Sequence, residues 1–385
     1  MPVTDDDILH LRRAMHLAMR GRGKVEPNPM VGCVIVKNGR VIGESWHQVY
    51  GGPHAEPNAL ASCTESPEGA TAYVTLEPCC HKNKKTPPCA PRLIKEKLAR
   101  VVIGCMDPNP DVDGKGVEML YNAGIKLEAP VLEEECQQLI APFIARVQHR
   151  RPYVTLKWAQ TADRKIAGPG GKPMQISSAR AHQVVHELRA RSDGILVGVN
   201  TVLTDDPMLT ARDVESSRPL LRIVLDRHLR TPLTSRLVQS AKKPPLLIIC
   251  EKACEETRAA ERKALTSLGV GVATTGSMAL DHLMLLLGQT EEFGQHRLTH
   301  LLVEPGPTLA RAFFEANRAD RLWVIRSPRQ VADDSAPTAA EIPPDFIITG
   351  KVDLEDDELT EYLNPRSAVY FAPTRSADLE RLIGA

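Results

Sequence analysis

Hydrophobic and polar positions follow helical and strand-like periods in turn along the first 150 residues. After Thr4, a candidate N-cap, apolar residues recur every three or four positions from Ile8 to Ala18, which predicts an amphipathic helix. Two short apolar runs then flank Asn38-Gly39, a pair that type I′ hairpin turns favour. The predicted strands are 33–36, 41–43, 70–76, 101–104 and 125–127, and the later helices are 90–99, 117–123 and 132–147. Strands that alternate with helices predict a layered α/β domain.

A second α/β pattern starts near residue 151. Its predicted strands are 151–157, 194–198, 220–226, 246–249 and 300–304, and a helix with regular apolar spacing covers 178–191. Residues 330–366 are acidic and proline-rich with weak periodicity, which predicts irregular structure before a last strand at 368–371. Because 385 residues exceed one comfortable core, we expect two domains, 1–147 and 151–385.

Composition narrows the class of function. The chain has 48 basic and 48 acidic residues, a net charge of zero, and 42% hydrophobic residues. A neutral chain lacks a general electrostatic attraction to nucleic acid or to an anionic membrane, which favours a small-molecule substrate. Nine cysteines, with no apolar leader and no apolar run of membrane-spanning length, predict a cytoplasmic protein with reduced thiols. A Rossmann cofactor site is unsupported, because no Gly-x-Gly-x-x-Gly follows a predicted strand.

The stretch 52–89 carries a metal-binding pattern. His54 and Cys79 are followed by two further thiols, the adjacent Cys80 and the more distant Cys89. One imidazole and two thiolates suit a tetrahedral zinc that keeps its fourth position open for water. Cys89 is the better second thiolate, because adjacent cysteines cannot easily reach one metal at tetrahedral angles. Glu56, two residues after the histidine, is placed to move protons in a hydrolytic deamination.

Two other interpretations of this stretch are a structural zinc site and a set of buried reduced cysteines. A structural site would normally be closed by a fourth Cys or His, and neither interpretation gives Glu56 a role. We expect Cys79 to open the next helix, where the positive end of the helix dipole would favour its thiolate. The basic segment 82–85 is either a solvated loop or a phosphate site.

The order of the motifs resembles that of the bifunctional riboflavin-biosynthesis enzymes, which join a pyrimidine deaminase to a reductase. In the first half the motifs are PNPMVG at 27–32, GPHAE at 52–56, PCCH at 78–81, TPPC at 86–89 and DPNP at 107–110. In the second half they are RPYVTLK at 151–157, Asp163, Val197-Gly198, TVLTDDP at 201–207, Arg212 and Val303-Glu304. The resemblance implies an α/β chain with a cytidine-deaminase-like three-layer domain followed by a dihydrofolate-reductase-like α/β domain.

The resemblance also implies two reactions and two cofactors. Zn2+ would serve the hydrolytic deamination of 2,5-diamino-6-ribosylamino-4(3H)-pyrimidinone 5′-phosphate, and NADPH would then reduce the ribosyl group to ribityl. A dihydrofolate-reductase-like domain binds NADPH without Rossmann glycines. The implied partner is this small pyrimidine ribose phosphate. We expect a homo-oligomer that binds neither nucleic acid nor membrane.

Motif matching assigns further residues beside His54, Glu56, Cys79 and Cys89. The implied second catalytic residue is Asp205. The implied substrate-binding residues are Asn28, His47, His81, Lys84, Lys85, Leu209, Arg212 and Glu304. The implied cofactor-binding residues are Lys157, Ala159, Thr201, Asp205 and Gly306.

The sequence departs from the family pattern in three places. The interval between Cys79 and Cys89 is one residue longer and lacks the family's glycine, so either Lys84 or Lys85 takes the phosphate role. Segment 171–177 lacks the family's serine and tryptophan, and Pro305 replaces a glycine, which removes an N–H that could face a phosphate. One alternative is therefore a deaminase with a noncatalytic C-terminal scaffold. A nucleic-acid deaminase is the other, which the neutral charge and the few aromatic residues oppose.

Overall fold

The computed structural model of the protein describes residues 3–80, 86–215, 219–289 and 298–371. Contacts between residues divide the chain into two compact units. The first unit runs to His149 and includes Phe371, and the second unit begins at Arg150. None of the helices in the described ranges combines the length and the apolar character that a membrane span requires.

Five strands in the described part of the first unit form one mixed sheet. They are β1 (Gly32–Lys37), β2 (Arg40–Trp46), β3 (Thr71–Leu76), β4 (Arg100–Cys105) and β5 (Lys126–Glu128). Their order is β2-β1-β3-β4-β5; β1 is antiparallel to both of its neighbours, and β3, β4 and β5 run parallel. Asn38 and Gly39 join β1 to β2 with φ of 50° and 72°, which confirms the predicted hairpin turn with two positive φ angles.

Helices cover both faces of this sheet. They are α1 (Asp5–Ala18), α2 (Ala55–Ala61), α3 (Cys89–Lys95), α4 (Lys115–Asn122), α5 (Glu133–Leu139) and α6 (Ala141–His149). Apolar residues of α2, α3 and α4 share one buried cluster with the sheet, whereas α1 packs Leu11 and Leu17 into a separate cluster with Val34 and Tyr73. The three layers position α2 and α3 beside the end of β3. The predicted first helix is confirmed, and Thr4 begins it with a capping box.

Nine strands in the described part of the second unit form a larger sheet. They are β6 (Tyr153–Gln160), β7 (Gly194–Gly198), β8 (Leu221–Leu225), β9 (Leu246–Glu251), β10 (Gly271–Thr275), β11 (His300–Val303), β12 (Arg321–Arg326), β13 (Ile347–Leu354) and β14 (Asp357–Leu363). Their order is β10-β9-β8-β7-β11-β6-β12-β14-β13. The first seven in that order run parallel; β14 then pairs antiparallel with β12, and β13 pairs antiparallel with β14.

Helices also cover both faces of the second sheet. They are α7 (Ala179–Ala190), α8 (Val199–Asp205), α9 (Arg236–Gln239), α10 (Cys254–Thr257), α11 (Ala259–Ser267), α12 (Leu280–Gln289) and α13 (Pro307–Glu315). Ala181 and Val184 of α7 belong to one buried cluster, and Leu283 of α12 and Phe313 of α13 belong to another. Loops at the carboxyl ends of β6, β7 and β11 therefore meet at one edge of the sheet.

Two predictions about the C-terminal region are wrong. Residues 330–366 contain β13 and β14 rather than irregular structure alone, and residues 368–371 contain no strand. β14 was not predicted because it contains acidic residues, which are typical of the surface. Two of these residues are buried and accept hydrogen bonds. Glu361 accepts hydrogen bonds from Trp323 Nε1 and Thr349 Oγ1, both at 2.8 Å, and Asp357 accepts from the Ser178 backbone. Because the partners of these buried carboxylates are distant in sequence, β14 lacks the alternation of apolar and polar residues by which a strand is predicted.

The helix predicted at 132–147 is interrupted. α5 ends at Leu139 and α6 begins at Ala141, with Ile140 between them at φ −103°. Pro142 explains the interruption, because proline has no backbone N–H to continue the hydrogen-bond pattern and is tolerated in the first turn of a helix.

Candidate active sites

A cavity of about 330 Å³ lies in the first unit, where β3 ends and α2 begins. Five residues that the sequence predicts for the deaminase line it: Asn28, His47, His54, Glu56 and Cys79. Three others, His81, Lys84 and Lys85, lie outside the described residues. The cavity thus brings predicted metal ligands and the predicted proton carrier to one place.

Three possible metal ligands converge at the cavity wall. Nδ1 of His54 lies 3.6 Å from Sγ of Cys79 and 3.3 Å from Sγ of Cys89. All three atoms lie within 4.8 Å of one another, and both thiols are buried. An ion bonded at about 2.0 Å to nitrogen and about 2.3 Å to sulfur fits among atoms with this spacing.

The backbone explains why Cys79 and Cys89 meet. Cys79 lies in an extended segment after β3, and Cys89 is the first residue of α3. The Cys79 carbonyl accepts the N–H groups of Cys89 and Ala90, both at 3.0 Å, so it caps the start of α3. The prediction that Cys79 opens a helix is therefore wrong, because the helix opens at Cys89. Within the described residues, Cys80 does not join the ligand group.

The charges in this wall favour a bound cation. Burial and then the proximity of Cys79 raise the pKa of Glu56, which is only 3% exposed. A hydrogen bond with Cys79, burial and the Glu56 carboxylate raise the pKa of the Cys89 thiol well above its usual range. Two thiolates and a carboxylate this close would repel one another without a cation. A divalent metal held by His54, Cys79 and Cys89 would offset that repulsion, so the donor set fits zinc.

Asn28 and His47 form a hydrogen-bonded pair in the same cavity. Nε2 of His47 lies 3.2 Å from Nδ2 of Asn28, and Nδ1 lies 3.0 Å from the carbonyl oxygen of Pro53. A carbonyl only accepts, so Nδ1 of His47 donates to Pro53 and Nε2 accepts from Asn28. These bonds fix the orientation of the imidazole and hold the Asn28 amide at the cavity wall.

Sequence reasoning missed several cavity residues. Thr86, Asp107, Asn109, Phe143 and Arg146 also line the cavity. The Thr86 hydroxyl lies 3.2 Å from Nε2 of His54, on the ring nitrogen that does not face the thiols. Thr86 and the turn 107–110 belong to motifs that the sequence does display. Arg146 lies on α6 without a motif of its own, yet among the described lining residues it is the one with a permanent positive charge.

The second unit holds an ion pair at the carboxyl edge of its parallel strands. Glu304 follows β11 and accepts two hydrogen bonds of 2.8 Å from Nε and Nη2 of Arg189 on α7. Burial alone would raise the pKa of Glu304, but Arg189 and, more weakly, Lys157 lower it to about 2. Burial lowers the pKa of the Lys157 ammonium, although the Glu304 carboxylate opposes that shift. The sequence predicted Lys157 and Glu304 but not Arg189, which is 115 residues from its partner.

The other predicted reductase residues lie around the same strand ends. Lys157 and Ala159 lie on β6, which pairs with β11. Thr201 and Asp205 lie on α8, directly after β7, the other neighbour of β11. Gly306 is the N-cap of α13. In the described ranges, however, no hydrogen bond joins the side chains of α8 to the ion pair.

Leu209 and Arg212 belong to the segment that follows α8. Leu209 is buried in the core, with a φ of 49°. Arg212 is exposed; its backbone N–H lies 3.3 Å from Nδ1 of His186, and its Nη2 lies 3.4 Å from Nε2 of the same ring. Burial, and then the charges of Arg189 and Arg212, lower the pKa of His186, which favours its neutral form. His186 was missed because a single histidine in a helix gives no signal.

Comparison with known protein families gives one match in each unit. Residues 4–105 match the family described as cytidine and deoxycytidylate deaminase zinc-binding region. Residues 152–344 match the family described as RibD C-terminal domain. These matches confirm the predicted fold class, a deaminase-like domain followed by a reductase domain of the dihydrofolate-reductase type.

Whole-chain relatives cover both units. The chain is 38% identical to the riboflavin biosynthesis protein RibD of Aquifex aeolicus over 327 residues, which are 85% of this chain and 88% of the relative. It is 40% identical to RibD of Actinobacillus pleuropneumoniae, over 87% of each chain. Among solved structures, RibD of Acinetobacter baumannii superposes with a TM-score of 0.78 at 33% identity, covering 93% of this chain and 98% of that one. A deaminase/reductase of Thermotoga maritima does so with a TM-score of 0.77, also at 33% identity and with the same coverage.

Proposed function

The chain belongs to the RibD family of riboflavin biosynthesis proteins, and we propose that the two sites described above carry its two reactions. Members of this family are bifunctional: a zinc-dependent deaminase acts on a pyrimidine, and an NADPH-dependent reductase acts on its ribosyl group. The chain has both domains. The comparisons do not favour a scaffold role for the second unit or a nucleic-acid deaminase.

The convergence of His54, Cys79 and Cys89 is the single observation that carries the assignment of the deaminase site. Three donors within 4.8 Å of one another leave a zinc ion one position for water, as catalytic zinc requires. Bound there, zinc would polarise the water that attacks the pyrimidine ring. Glu56 lines the same cavity and would take a proton from that water and deliver it to the leaving amine. Its raised pKa suits a group that must both accept and release a proton.

Polar residues of the cavity would orient the pyrimidine. Asn28 and His47 are held by each other and by the Pro53 carbonyl, so they can present fixed polar groups to the ring. Arg146 would supply a cation for the substrate's phosphate. His81 and one of Lys84 and Lys85, which motif matching assigns to substrate, would add to the same task.

In the second unit, the proposed reductase site is the strand edge that holds Lys157 and Glu304. The Arg189 ion pair keeps the Glu304 carboxylate charged and fixed, so it can accept hydrogen bonds from the ribose hydroxyls of the substrate. Leu209 and Arg212 would complete the substrate side. NADPH supplies the hydride that opens the ribosyl ring, and the protein chiefly positions the two reactants. Ala159, Thr201, Asp205 and Gly306, with Lys157, would hold the cofactor, and Asp205 would also act in catalysis.

We further propose a cytoplasmic homo-oligomer that does not bind nucleic acid. None of the nine cysteines, all of which are among the described residues, forms a disulfide, which fits a reducing compartment. The edge strand β13 exposes Ile347 and Ile348, and exposed apolar edge strands favour pairing between copies. Light scattering on the purified protein tests the oligomer, and retention on immobilised RNA at rising salt tests the absence of nucleic-acid binding.

The function is tested by supplying the pyrimidine ribose phosphate with and without NADPH. Ammonia release and the absorbance of NADPH are followed separately. We expect ammonia in both cases, and loss of NADPH absorbance only after deamination. Ammonia release without NADPH consumption, even with authentic deaminated substrate at saturating cofactor, would contradict the reductase assignment.

A further inference from the structure

Glu77 is a buried carboxylate that neither proposed reaction uses. It follows β3 directly, two residues before Cys79, and is only 3% exposed. Its partners are backbone N–H groups from a distant part of the chain. Oε2 accepts from Asp107 at 3.3 Å and Gly114 at 3.0 Å, and Oε1 accepts from Gly116 at 2.9 Å and Val117 at 3.2 Å. Within the described residues, no cationic side chain forms an ion pair with it.

These four bonds connect two parts of the cavity wall to the start of α4. Pro78 alone separates Glu77 from Cys79, and its ring restricts the backbone between them. Asp107 begins the turn that lines the cavity together with Asn109. Gly114 and its successors form the start of α4, where no side chain of the N-cap provides a hydrogen bond. The carboxylate therefore ties the Cys79 segment to the 107–109 turn and to the positive end of α4.

The Glu77–Cys79 segment and the start of α4 are also in close van der Waals contact. A Cβ atom added at Gly116 would lie 2.0 Å from the Pro78 carbonyl oxygen and 3.1 Å from Oε1 of Glu77. The Pro78–Cys79 backbone thus rests directly on the first turn of α4. A shift of Glu77 would move the Cys79 carbonyl as well as its thiol, and that carbonyl caps the helix that begins with Cys89.

We propose that Glu77 is a positioning residue for the metal site: it fixes Cys79, and through the Cys79 carbonyl Cys89, at the spacing that zinc requires. This inference rests on the proposed zinc site. The competing explanation is that Glu77 only caps α4, which would stabilise the fold without affecting the metal. Groups that hold metal ligands in place commonly change metal affinity by about 10–100-fold when they are replaced.

The test is Glu77→Gln in the full-length protein. The substitution turns one carboxylate oxygen into an NH2 group, which would face two N–H donors and lose both bonds. We expect zinc affinity, measured by competition with a chelator, to fall about 10–100-fold. We also expect the visible absorption bands of the cobalt-substituted protein to shift, because they report the arrangement of the ligands. NADPH-dependent reduction of the deaminated substrate should stay unchanged.

The matched control is Glu118→Gln, which changes an exposed carboxylate in the first turn of the same helix. It should leave zinc affinity and the cobalt spectrum unchanged. Glu77→Asp keeps the charge but withdraws the carboxylate, and we expect a smaller fall in affinity. If either soluble Glu77 variant unfolds at a lower temperature but binds zinc and cobalt like the wild type, Glu77 only caps α4 and the proposal is overturned. A wild-type protein that binds no zinc would instead contradict the zinc site itself.

Discussion

The two sites differ in how their buried acidic groups are compensated. In the first unit, Glu56 and the two buried thiols are all acidic groups, and their surroundings raise the pKa of Glu56 and Cys89. In the second unit, the Arg189 guanidinium neutralises Glu304 and lowers its pKa to about 2. Without a cation, the raised pKa values favour the protonated forms of these groups, so the ionised form of the proposed deaminase site depends on an external cation. The proposed reductase site carries its own compensating charge and should keep its geometry without a ligand.

Loss of a metal ligand tests the dependence on an external cation and has the largest expected effect. We expect Cys89→Ser to lose bound zinc and deamination, whereas Cys80→Ser keeps one zinc per chain, because Cys89 and not Cys80 lies with His54 and Cys79. Metal analysis and ammonia release are measured in both variants, with reduction as an internal control. Full zinc occupancy in Cys89→Ser would disprove the ligand assignment.

Glu56→Gln separates proton transfer from metal binding. The variant should keep zinc and lose deamination by roughly 10²–10⁴-fold, the usual contribution of a positioned acid–base group. Its reductase activity should equal that of the wild type, since the two sites lie in different units. The measurement is kcat for ammonia release at matched zinc content. Activity within a few-fold of the wild type would mean that another group moves the proton.

The Arg189–Glu304 ion pair in the second unit should make stability depend on pH. The folded-state pKa of Glu304 is lowered to about 2. Its contribution to stability is therefore fully present above its ordinary pKa and is lost as the pH falls through the folded value. We expect Glu304→Gln to destabilise the second unit by about 2–3 kcal/mol at pH 7, because it leaves Arg189 without its carboxylate.

Thermal unfolding of both proteins, from pH 7 down to pH 3.5, measures that difference. The difference in unfolding temperature between the wild type and Glu304→Gln should become smaller once the pH drops below about 4.5. Glu315→Gln, an exposed change at the end of α13, is the control and should show no such difference. If the difference in unfolding temperature does not change with pH, the Arg189–Glu304 ion pair is not its cause.

Arg146→Gln tests whether Arg146, a cationic side chain in the cavity of the first unit, binds the phosphate of the substrate. A charged hydrogen bond to phosphate contributes about 1.5–3 kcal/mol, so KM for the phosphorylated substrate should rise about 10–100-fold. The same variant should process the dephosphorylated substrate as well as the wild type does, and Arg146→Lys should recover part of the loss. An equal loss with both substrates would place Arg146 at the pyrimidine ring instead.

Asp205→Asn has the smallest expected effect. Asp205 is exposed at the end of α8 and outside the ion pair. We expect its loss to lower NADPH-dependent reduction roughly tenfold in kcat/KM, about 1.4 kcal/mol, while ammonia release stays intact. Steady-state kinetics with varied NADPH measure this, and an unchanged kcat/KM would remove Asp205 from the reductase site.

The sequence alone determined the features that depend on neighbours along the chain. The Asn38-Gly39 turn, the Thr4 N-cap and the alternation of strands and helices are local, and the structure confirms them. The motifs around His54 and Cys79 were visible for the same reason. Short spacings fix which side chains can share a helix start or a strand end, so chemistry encoded in such spacings can be identified before the fold is known.

Only the tertiary structure decided which distant groups meet. The sequence placed the helix start at Cys79, whereas in the structure the Cys79 carbonyl caps a helix that begins at Cys89, and Glu77 finds its N–H partners 30 to 40 positions away. Arg189 reaches Glu304 across 115 residues. In β14, the buried carboxylates of Asp357 and Glu361 looked like surface residues for the same reason. A buried charge is stable only beside its partner, and the chain topology, which no local pattern encodes, selects that partner.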